Sequence, residues 1–244
     1  MKSAPGEDGL SYRVLIHVPA EMIELISEVY NICLNSGYYP KAWKAAIGIM
    51  LPKPNKDPQV AINYRPISLL KCVGKIYEKV IANRLVQHME DEGHFNKWQR
   101  AYLRQKEAGE HVFRLGTTAK KSTEGKWYTG AVLLDVEKAF DSVWHAGLKY
   151  KIITKYGLPN KMLRILSSFV DDRTIKVKIG DSISKVVKLN AGTPQGSVLS
   201  PILFLMYVND LPIDSVNKTA ASQFADDMGL WASSPCYNRV IIRL

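Results

Sequence analysis

Apolar residues recur along the chain in two patterns, one typical of helices and one typical of strands. Apolar side chains at helical spacing predict long helices over residues 20–35, which end before Gly37, and over 70–90. Shorter stripes predict helices over 107–120, 142–156, 161–169, with Asn160 as the N-cap, and 198–208. Apolar runs and alternating patterns predict strands over 46–51, 131–134, 173–179, 183–189, 219–225 and 228–232.

The order of these elements predicts an α+β fold. From residue 131 onwards a strand, helices, a hairpin around Gly180-Asp181, a helix and a second hairpin follow one another, which favours an antiparallel sheet backed by helices. The preceding part mixes helices with a single predicted strand. The predicted division is therefore one subdomain over 1–130 and a second over 131–244.

Composition places the chain among folded proteins with an anionic partner. It has 244 residues, 46% of them hydrophobic, which is enough for a sizeable core and excludes a disordered chain. The formal net charge is +10 and the cationic excess extends over both halves. A broadly basic protein attracts phosphate backbones, so a nucleic-acid partner is favoured. A basic globular protein without such a partner remains the alternative.

Cysteine and hydropathy patterns bear on the compartment. Cys33, Cys72 and Cys236 are widely spaced and form neither a disulfide framework nor a zinc pattern, which indicates a reducing, intracellular compartment. No apolar run approaches the ~18 residues of a membrane helix, so no membrane partner is predicted. A nuclear location is compatible with the sequence, although no clear signal for it is present. No sequence feature indicates the oligomeric state.

Carboxylates follow two of the predicted strands. Asp135 and Asp141 come after the strand 131–134, and the pair Asp226-Asp227 comes after the strand 219–225. If these strands are neighbours, the acids meet at one sheet edge and need cations between them. Hard oxygen ligands suit Mg²⁺, and a pair of such ions supports in-line phosphoryl transfer. The alternative is a turn or cap role, and Asp141 is interpreted as the N-cap of the helix that follows it.

A glycine-punctuated loop lies between the two acidic segments. Gly192 and Gly196 allow close backbone approach, and the loop leads into an apolar helix whose first N–H groups are available to an anion. These features favour a nucleotide-docking loop. An ordinary helix entry explains any one of them equally well.

Taken in order, these segments resemble the reverse transcriptases of non-LTR (LINE-like) retrotransposons, and the resemblance extends from about Ala4 to about Trp231. The matching segments are Leu134-Asp135-Val136-Glu137-Lys138-Ala139-Phe140-Asp141, Gly192-Thr193-Pro194-Gln195-Gly196-Ser197, Phe224-Ala225-Asp226-Asp227 and, upstream, Leu51-Pro52-Lys53-Pro54 and Asn63-Tyr64-Arg65-Pro66-Ile67-Ser68.

The resemblance implies a right-hand polymerase fold, with fingers over 1–130 and a palm over 131–244. It also implies RNA-directed DNA polymerase activity, with an RNA template, a DNA primer and dNTP as partners. Asp135 and Asp226 match the two principal metal-binding aspartates, Asp227 matches their partner, and the backbone carbonyl of Val136 completes the first shell. The implied cofactor is a pair of Mg²⁺ ions, for which Mn²⁺ is a possible substitute.

The same resemblance implies the nucleotide-binding residues. Phe140 matches the bulky residue that lies under the sugar and excludes a 2′-hydroxyl. Gln195 and Gly196 match the loop that packs near the incoming nucleotide. Lys53 and Arg65 match cations that bind its triphosphate, a role that suits the planar, permanently charged guanidinium of arginine in particular.

Two departures and two alternative functions accompany the resemblance. Where the group has Gly-Phe-Arg, this chain has Tyr102-Leu103-Arg104, which puts the local turn in doubt. Few residues follow Asp227, so the expectation is a palm truncated after the hairpin, without a thumb and with weak activity by itself. The alternatives are a nucleic-acid-binding remnant without catalysis and an RNA-templated RNA polymerase or intron-maturase relative. Phe140 argues against the use of ribonucleotides.

Overall fold

The computed structural model describes residues 4–103, 106–211 and 219–244. Its α-helices are α1 Tyr12–Leu15, α2 Ala20–Ser36, α3 Cys72–Asp91, α4 Gly109–Glu124, α5 His145–Lys155, α6 Asn160–Val170, α7 Ser200–Val208 and α8 Tyr237–Arg243. Its strands are β1 Ala45–Pro52, β2 Tyr64–Leu69, β3 Tyr128–Leu134, β4 Thr174–Ile179, β5 Ser182–Ile183, β6 Val187–Lys188, β7 Ala220–Phe224 and β8 Asp227–Ser234. The predicted α+β class is confirmed. None of the described helices is both long and apolar enough to cross a membrane.

The chain forms two compact units, each assembled from two separate stretches of sequence. The first unit comprises Met1–Glu92 and Phe140–Tyr207, and the second comprises Gly93–Ala139 and Val208–Leu244. The assignment of fingers to 1–130 and of a palm to 131–244 is functional and stays a prediction.

A mixed sheet forms one layer of the first unit. Its strand order is β2-β1-β4-β5, and β6 also pairs with β4. Strands β1 and β2 are antiparallel from Ile47↔Leu69 to Pro52↔Tyr64, whereas β1 and β4 are parallel. The predicted hairpin around Gly180 is confirmed by the pairing of β4 with β5, and Gly180 takes a φ of 57° in its turn.

Aromatic side chains build the core of the first unit. Tyr30 on α2, Tyr77 on α3 and Phe169 on α6 surround Tyr39 and Trp43, with ring centroids 5.0–5.9 Å apart. Both Tyr39 and Tyr77 are fully buried. Since these rings come from three helices and the connection between α2 and β1, they fix the helices as one layer.

The second unit is a three-stranded antiparallel sheet with a helix against each face. The strand order is β3-β8-β7, with β8 in the centre. A Cβ on Gly130 would meet Val240 of α8 at 2.7 Å, so that face of the sheet packs against α8. Trp231 points to the opposite face, where Arg114 of α4 lies 5.7 Å from its ring.

Most predicted elements are confirmed to within a few residues, but the strand predicted over 183–189 is divided into β5 and β6, strand β2 was not predicted, and two helix starts differ. The helix predicted over 142–156 begins at His145 and its N-cap is Trp144, so the interpretation of Asp141 as the cap is wrong. The carboxylate of Asp141 instead accepts hydrogen bonds from the side chain of Gln195. Asn160 is the first residue of α6 rather than its N-cap, which is Pro159.

The turn that the missing glycine put in doubt is present. Tyr102 takes a φ of 57°, the left-handed conformation that a glycine adopts without strain. Arg104, the other residue of interest in this segment, lies outside the described residues.

Candidate active site

A tight hairpin presents two of the predicted carboxylates. Strands β7 and β8 pair up to Phe224↔Asp227, so Ala225 and Asp226 form a two-residue turn between them. Ala225 is buried and takes a φ of 57°. Asp226 is half-buried, whereas Asp227 is exposed. The turn therefore exposes the two carboxylates differently.

The third carboxylate lies on the strand next to this hairpin. Strand β3 pairs with β8 in the antiparallel direction up to Leu134↔Met228. Asp135 follows Leu134 directly and is exposed. The strands that precede the two acidic segments, β3 and β7, are not adjacent, because β8 lies between them. The register of β3 with β8 nevertheless brings Asp135, Asp226 and Asp227 to the same end of one sheet.

Proximity and burial act together on Asp226. Burial raises the pKa of this carboxyl group above its usual value, and the negative charges of Asp227 and Asp135 raise it further. A hydrogen bond to its own backbone works in the opposite direction. Since like charges oppose the ionisation of Asp226, a cation at this edge would stabilise its charged form.

Fit to a metal ion can be judged from the donor set. Within the described ranges, no group of three or more Asp, Glu, His or Cys side chains is arranged to hold an ion. Mg²⁺ differs from most protein-bound metals because one or two carboxylates, substrate phosphates and water normally complete its shell. Asp135 and Asp226, with the adjacent carbonyl of Val136, fit that partial set of oxygen donors.

The glycine loop belongs to the first unit, where two backbone hydrogen bonds tie it to the segment after Ala139. Gly192 N–H donates to the carbonyl of Val143 and Thr193 N–H donates to that of Phe140, both at 2.8 Å. Gly192 has a φ of 83°, and a Cβ there would lie 2.7 Å from the carbonyl oxygen of Asp141. Only glycine fits at this position.

Gln195 and Gly196 lie where this loop approaches β2. The carbonyl of Gln195 accepts the N–H of Ser68 at 2.7 Å, and a Cβ on Gly196, which has a φ of 120°, would lie 2.6 Å from the Ser68 carbonyl oxygen. The Nε2 of Gln195 donates to both carboxylate oxygens of Asp141 at 3.1 Å. The loop thus places a fixed amide next to a carboxylate.

The remaining predicted nucleotide-binding residues also lie in the first unit. Phe140 is half-buried, and its ring packs against Phe204 of α7 with centroids 5.0 Å apart. Arg65 is exposed on β2 opposite Leu51 of β1. Lys53 follows β1, and its N–H donates to the carbonyl of Asn63 at 2.7 Å. Both cations therefore lie at the same end of the β1–β2 hairpin.

Sequence reasoning missed Glu78, a fully buried carboxylate on α3. It accepts hydrogen bonds from the Tyr39 hydroxyl at 2.7 Å, the Ser197 hydroxyl at 2.6 Å and the Val198 N–H at 2.7 Å. Arg173, 1% exposed, interacts with Tyr39 and supplies the compensating positive charge. The signal was an acid on the helix face that carries Tyr77, Ile81 and Leu85, where a buried charge calls for partners.

Comparison with known proteins identifies the family. The family model described as "Reverse transcriptase (RNA-dependent DNA polymerase)" matches residues 51–242. The chain belongs to the reverse transcriptase family. It is 37% identical over 241 residues to the RNA-directed DNA polymerase from mobile element jockey of Drosophila melanogaster. It is 34% identical over 244 residues to the probable RNA-directed DNA polymerase from transposon BS of the same organism.

These alignments cover 96% and 98% of this chain but only 26% and 27% of the two relatives. The predicted resemblance to non-LTR retrotransposon reverse transcriptases is thereby confirmed for the segment that the chain represents.

Solved structures agree on the fold. The apo telomerase of Candida tropicalis truncated from its C-terminal domain aligns with a TM-score of 0.53 at 12% identity, covering 82% of this chain and 45% of that one. The telomerase of Candida albicans in complex with a telomeric RNA fragment aligns with a TM-score of 0.51 at 11% identity, covering 91% of this chain and 43% of that one. At these identities the likeness concerns the fold alone.

Proposed function

We propose that this reverse transcriptase domain transfers nucleotides from dNTP to the 3′-hydroxyl of a DNA primer paired with an RNA template. The observation that supports this most directly is the register of β3 with β8, which brings Asp135 to the sheet edge that carries Asp226-Asp227. The net charge of +10 suits the two nucleic-acid strands.

In this proposal the carboxylates of Asp135 and Asp226 hold two Mg²⁺ ions, with the carbonyl of Val136 as a further ligand and Asp227 in support. When bound, the ions stabilise the charge on the attacking and leaving oxygens. The primer 3′-oxygen forms a bond to the α-phosphorus of the dNTP, the bond to pyrophosphate breaks, and the hydroxyl proton leaves to water. Asp135 and Asp226 would contribute by fixing where the two ions lie at this end of the sheet.

The first unit supplies the residues that select and hold the nucleotide. Lys53 and Arg65 bind the triphosphate, because both are cations at one end of a hairpin. Gln195 and Gly196 line the nucleotide through a loop that two neighbouring segments hold in place. Phe140 excludes the 2′-hydroxyl, and its packing against Phe204 keeps its ring from moving aside.

The metal role is tested with Asp226→Asn, which keeps the shape of the side chain and removes its charge. We expect Mn²⁺ binding to the 244-residue chain, followed by electron paramagnetic resonance, to weaken by about tenfold or more, because a ligating charge is lost. Asp181→Asn, at the exposed turn between β4 and β5, is the matched control and should bind Mn²⁺ like the wild type. Equal binding by all three proteins contradicts the proposal.

The activity and sugar choice are tested by primer extension on an RNA template with dNTP and with NTP. The wild type, whose expected activity by itself is weak, should extend the primer with dNTP but not with NTP, and Phe140→Ala should gain ribonucleotide incorporation while it retains dNTP use. Thermal unfolding of the variant shows whether loss of the contact with Phe204 affects the fold. Unchanged discrimination in a folded variant excludes the steric role, and binding of RNA without extension supports the non-catalytic alternative.

A further inference from the structure

A short segment before α4 pairs with the strand that leads to the carboxylates. The N–H of Gln223 donates to the carbonyl of Trp98, and the N–H of Arg100 donates to the carbonyl of Gln223, both at 3.1 Å. Between these two bonds lies Gln99, whose side chain is turned inward and only 2% exposed. A buried amide at this place requires partners for its polar atoms.

The side-chain oxygen of Gln99 accepts three hydrogen bonds. It accepts the backbone N–H groups of Ala101 at 2.9 Å, of Arg100 at 3.1 Å and, on the neighbouring hairpin, of Ala225 at 3.1 Å. The first two bonds fix the amide relative to its own segment. The third bond reaches the turn of the β7–β8 hairpin, at the residue directly before Asp226.

The backbone of Ala225 depends on this hydrogen bond to keep its conformation. Its φ of 57° is a left-handed conformation that disfavours residues with a Cβ, and the residue is only 4% exposed. Without the Gln99 oxygen, the N–H of Ala225 would be buried with no acceptor. A rearranged turn that gave this N–H another partner would then have the lower free energy. Rearrangement at Ala225 changes the direction in which the next residue presents its carboxylate.

We infer that Gln99 is a positioning residue, which holds the Ala225-Asp226 turn so that the Asp226 carboxylate faces the metal edge shared with Asp135. The inference rests on the proposed function, since it concerns the same metal site. Gln99 itself touches neither metal nor substrate.

The test compares Mn²⁺ affinity among variants of the 244-residue chain, with the ion itself as the probe. Gln99→Leu keeps much of the volume and removes the acceptor, so we expect Mn²⁺ binding to weaken by ~10–100-fold, as for other groups that orient a metal ligand. Gln99→Asn, which remains polar but is one methylene too short to reach Ala225, should show the same loss. Gln99→Glu should stay within about threefold of wild type, because a carboxylate that accepts several N–H groups remains charged and satisfied.

A control separates positioning from general destabilisation. The hydroxyl of Thr129 on β3 bonds to that of Ser233 on β8 at 2.9 Å, at the end of the sheet remote from the turn. Thr129→Val removes this bond in the same unit and should lower the melting temperature without changing Mn²⁺ affinity. A Gln99→Leu or Gln99→Asn variant that is folded by circular dichroism and binds Mn²⁺ like the wild type overturns the inference.

Failure of the inference is distinguishable from failure of the proposed function. If wild type and Asp226→Asn bind Mn²⁺ equally, the metal site itself is refuted and the inference falls with it. If Asp226→Asn loses binding while a folded Gln99→Leu or Gln99→Asn variant keeps it, the metal site stands and only the positioning role is wrong.

Discussion

Glu78 provides the sharpest prediction about the first unit, because it joins the aromatic core to the loop that carries Gln195. Its carboxylate is fully buried and accepts three short hydrogen bonds, from Tyr39, Ser197 and Val198. Replacement by alanine removes the acceptor for all three donors. It also leaves the buried guanidinium of Arg173 without its counter-charge.

The loss of stability on Glu78→Ala depends on the buried groups that are left without a partner. Loss of one member of a buried ion pair costs about 3–5 kcal/mol, which is the upper limit for this term because Glu78 acts on Arg173 electrostatically without a direct ion pair. Orphaned buried donors cost roughly 1–3 kcal/mol each, but these terms overlap with the first and do not add in full. We therefore expect Glu78→Ala to lower the free energy of unfolding by about 3–5 kcal/mol, a large part of a typical total of about 5–15 kcal/mol.

Glu78→Gln should cost less. Its amide oxygen can face Ser197 and Val198, where two donors converge on Oε2 of the glutamate, while its NH₂ group faces Tyr39. A tyrosine hydroxyl can accept as well as donate, so the NH₂ group finds an acceptor, and the losses are the acceptor of the Tyr39 O–H and the charge that acts on Arg173. The expected cost is about 1–2 kcal/mol.

Urea denaturation of the 244-residue chain, followed by tryptophan fluorescence, measures these differences, since Trp43 lies against Tyr39 with ring centroids 5.9 Å apart. Hydrogen exchange of the peptide 190–200 should show faster exchange of the loop amides in both variants. The control is Glu7→Gln, in an exposed ion pair with Lys176, which should stay within about 1 kcal/mol of wild type. A Glu78→Ala protein destabilised by less than about 1 kcal/mol would refute the reasoning.

Three further predictions concern the second unit and the nucleic acid. Tyr102→Gly should raise the free energy of unfolding by up to about 1 kcal/mol in urea denaturation, because Tyr102 has a φ of 57° and glycine adopts it without strain; a loss of stability contradicts this. Burial lowers the pKa of His111, so the unfolded state takes up a proton first and stability should fall as the pH drops below about 6.5. His111→Gln should remove part of that dependence in melting experiments between pH 8 and 5.5. Binding of single-stranded RNA, measured by fluorescence anisotropy, should weaken roughly tenfold or more between 50 and 200 mM salt, and a flat response would exclude phosphate contacts as its source.

Local sequence pattern was sufficient for the parts of the fold that depend on local physics. The stripes on α2 and α3 are amphipathic over several turns, so periodicity located both helices to within two residues. The order of the acidic segments and the β-type patterns before them was enough to expect Asp135 beside Asp226-Asp227, because strands that share a sheet bring their ends together.

Long-range contacts account for what the sequence left undetermined. Aspartate is a common N-cap residue, yet the carboxylate of Asp141 accepts a hydrogen bond from Gln195, 54 residues away, and the helix begins at His145. Glu78 and Ser197 are separated by 119 residues, and no local rule links a helical acid to a loop that distant. Each compact unit likewise combines two stretches of the chain, which periodicity within either stretch does not reveal.

The two units solve one physical problem in the same way. A loop or turn that must present polar groups to a ligand cannot be held by apolar packing on its exposed side, and in the Asp226 turn the positive φ of Ala225 adds strain. In each unit a buried side chain from a neighbouring segment accepts backbone N–H groups of that loop or turn. Glu78 accepts hydrogen bonds from the loop that contains Gln195, and Gln99 accepts one from the turn that contains Asp226. The acceptor lies on the protein side, so it fixes the backbone while the side chains remain free to face solvent. Substitutions at such acceptors should therefore alter ligand affinity from positions that no ligand touches.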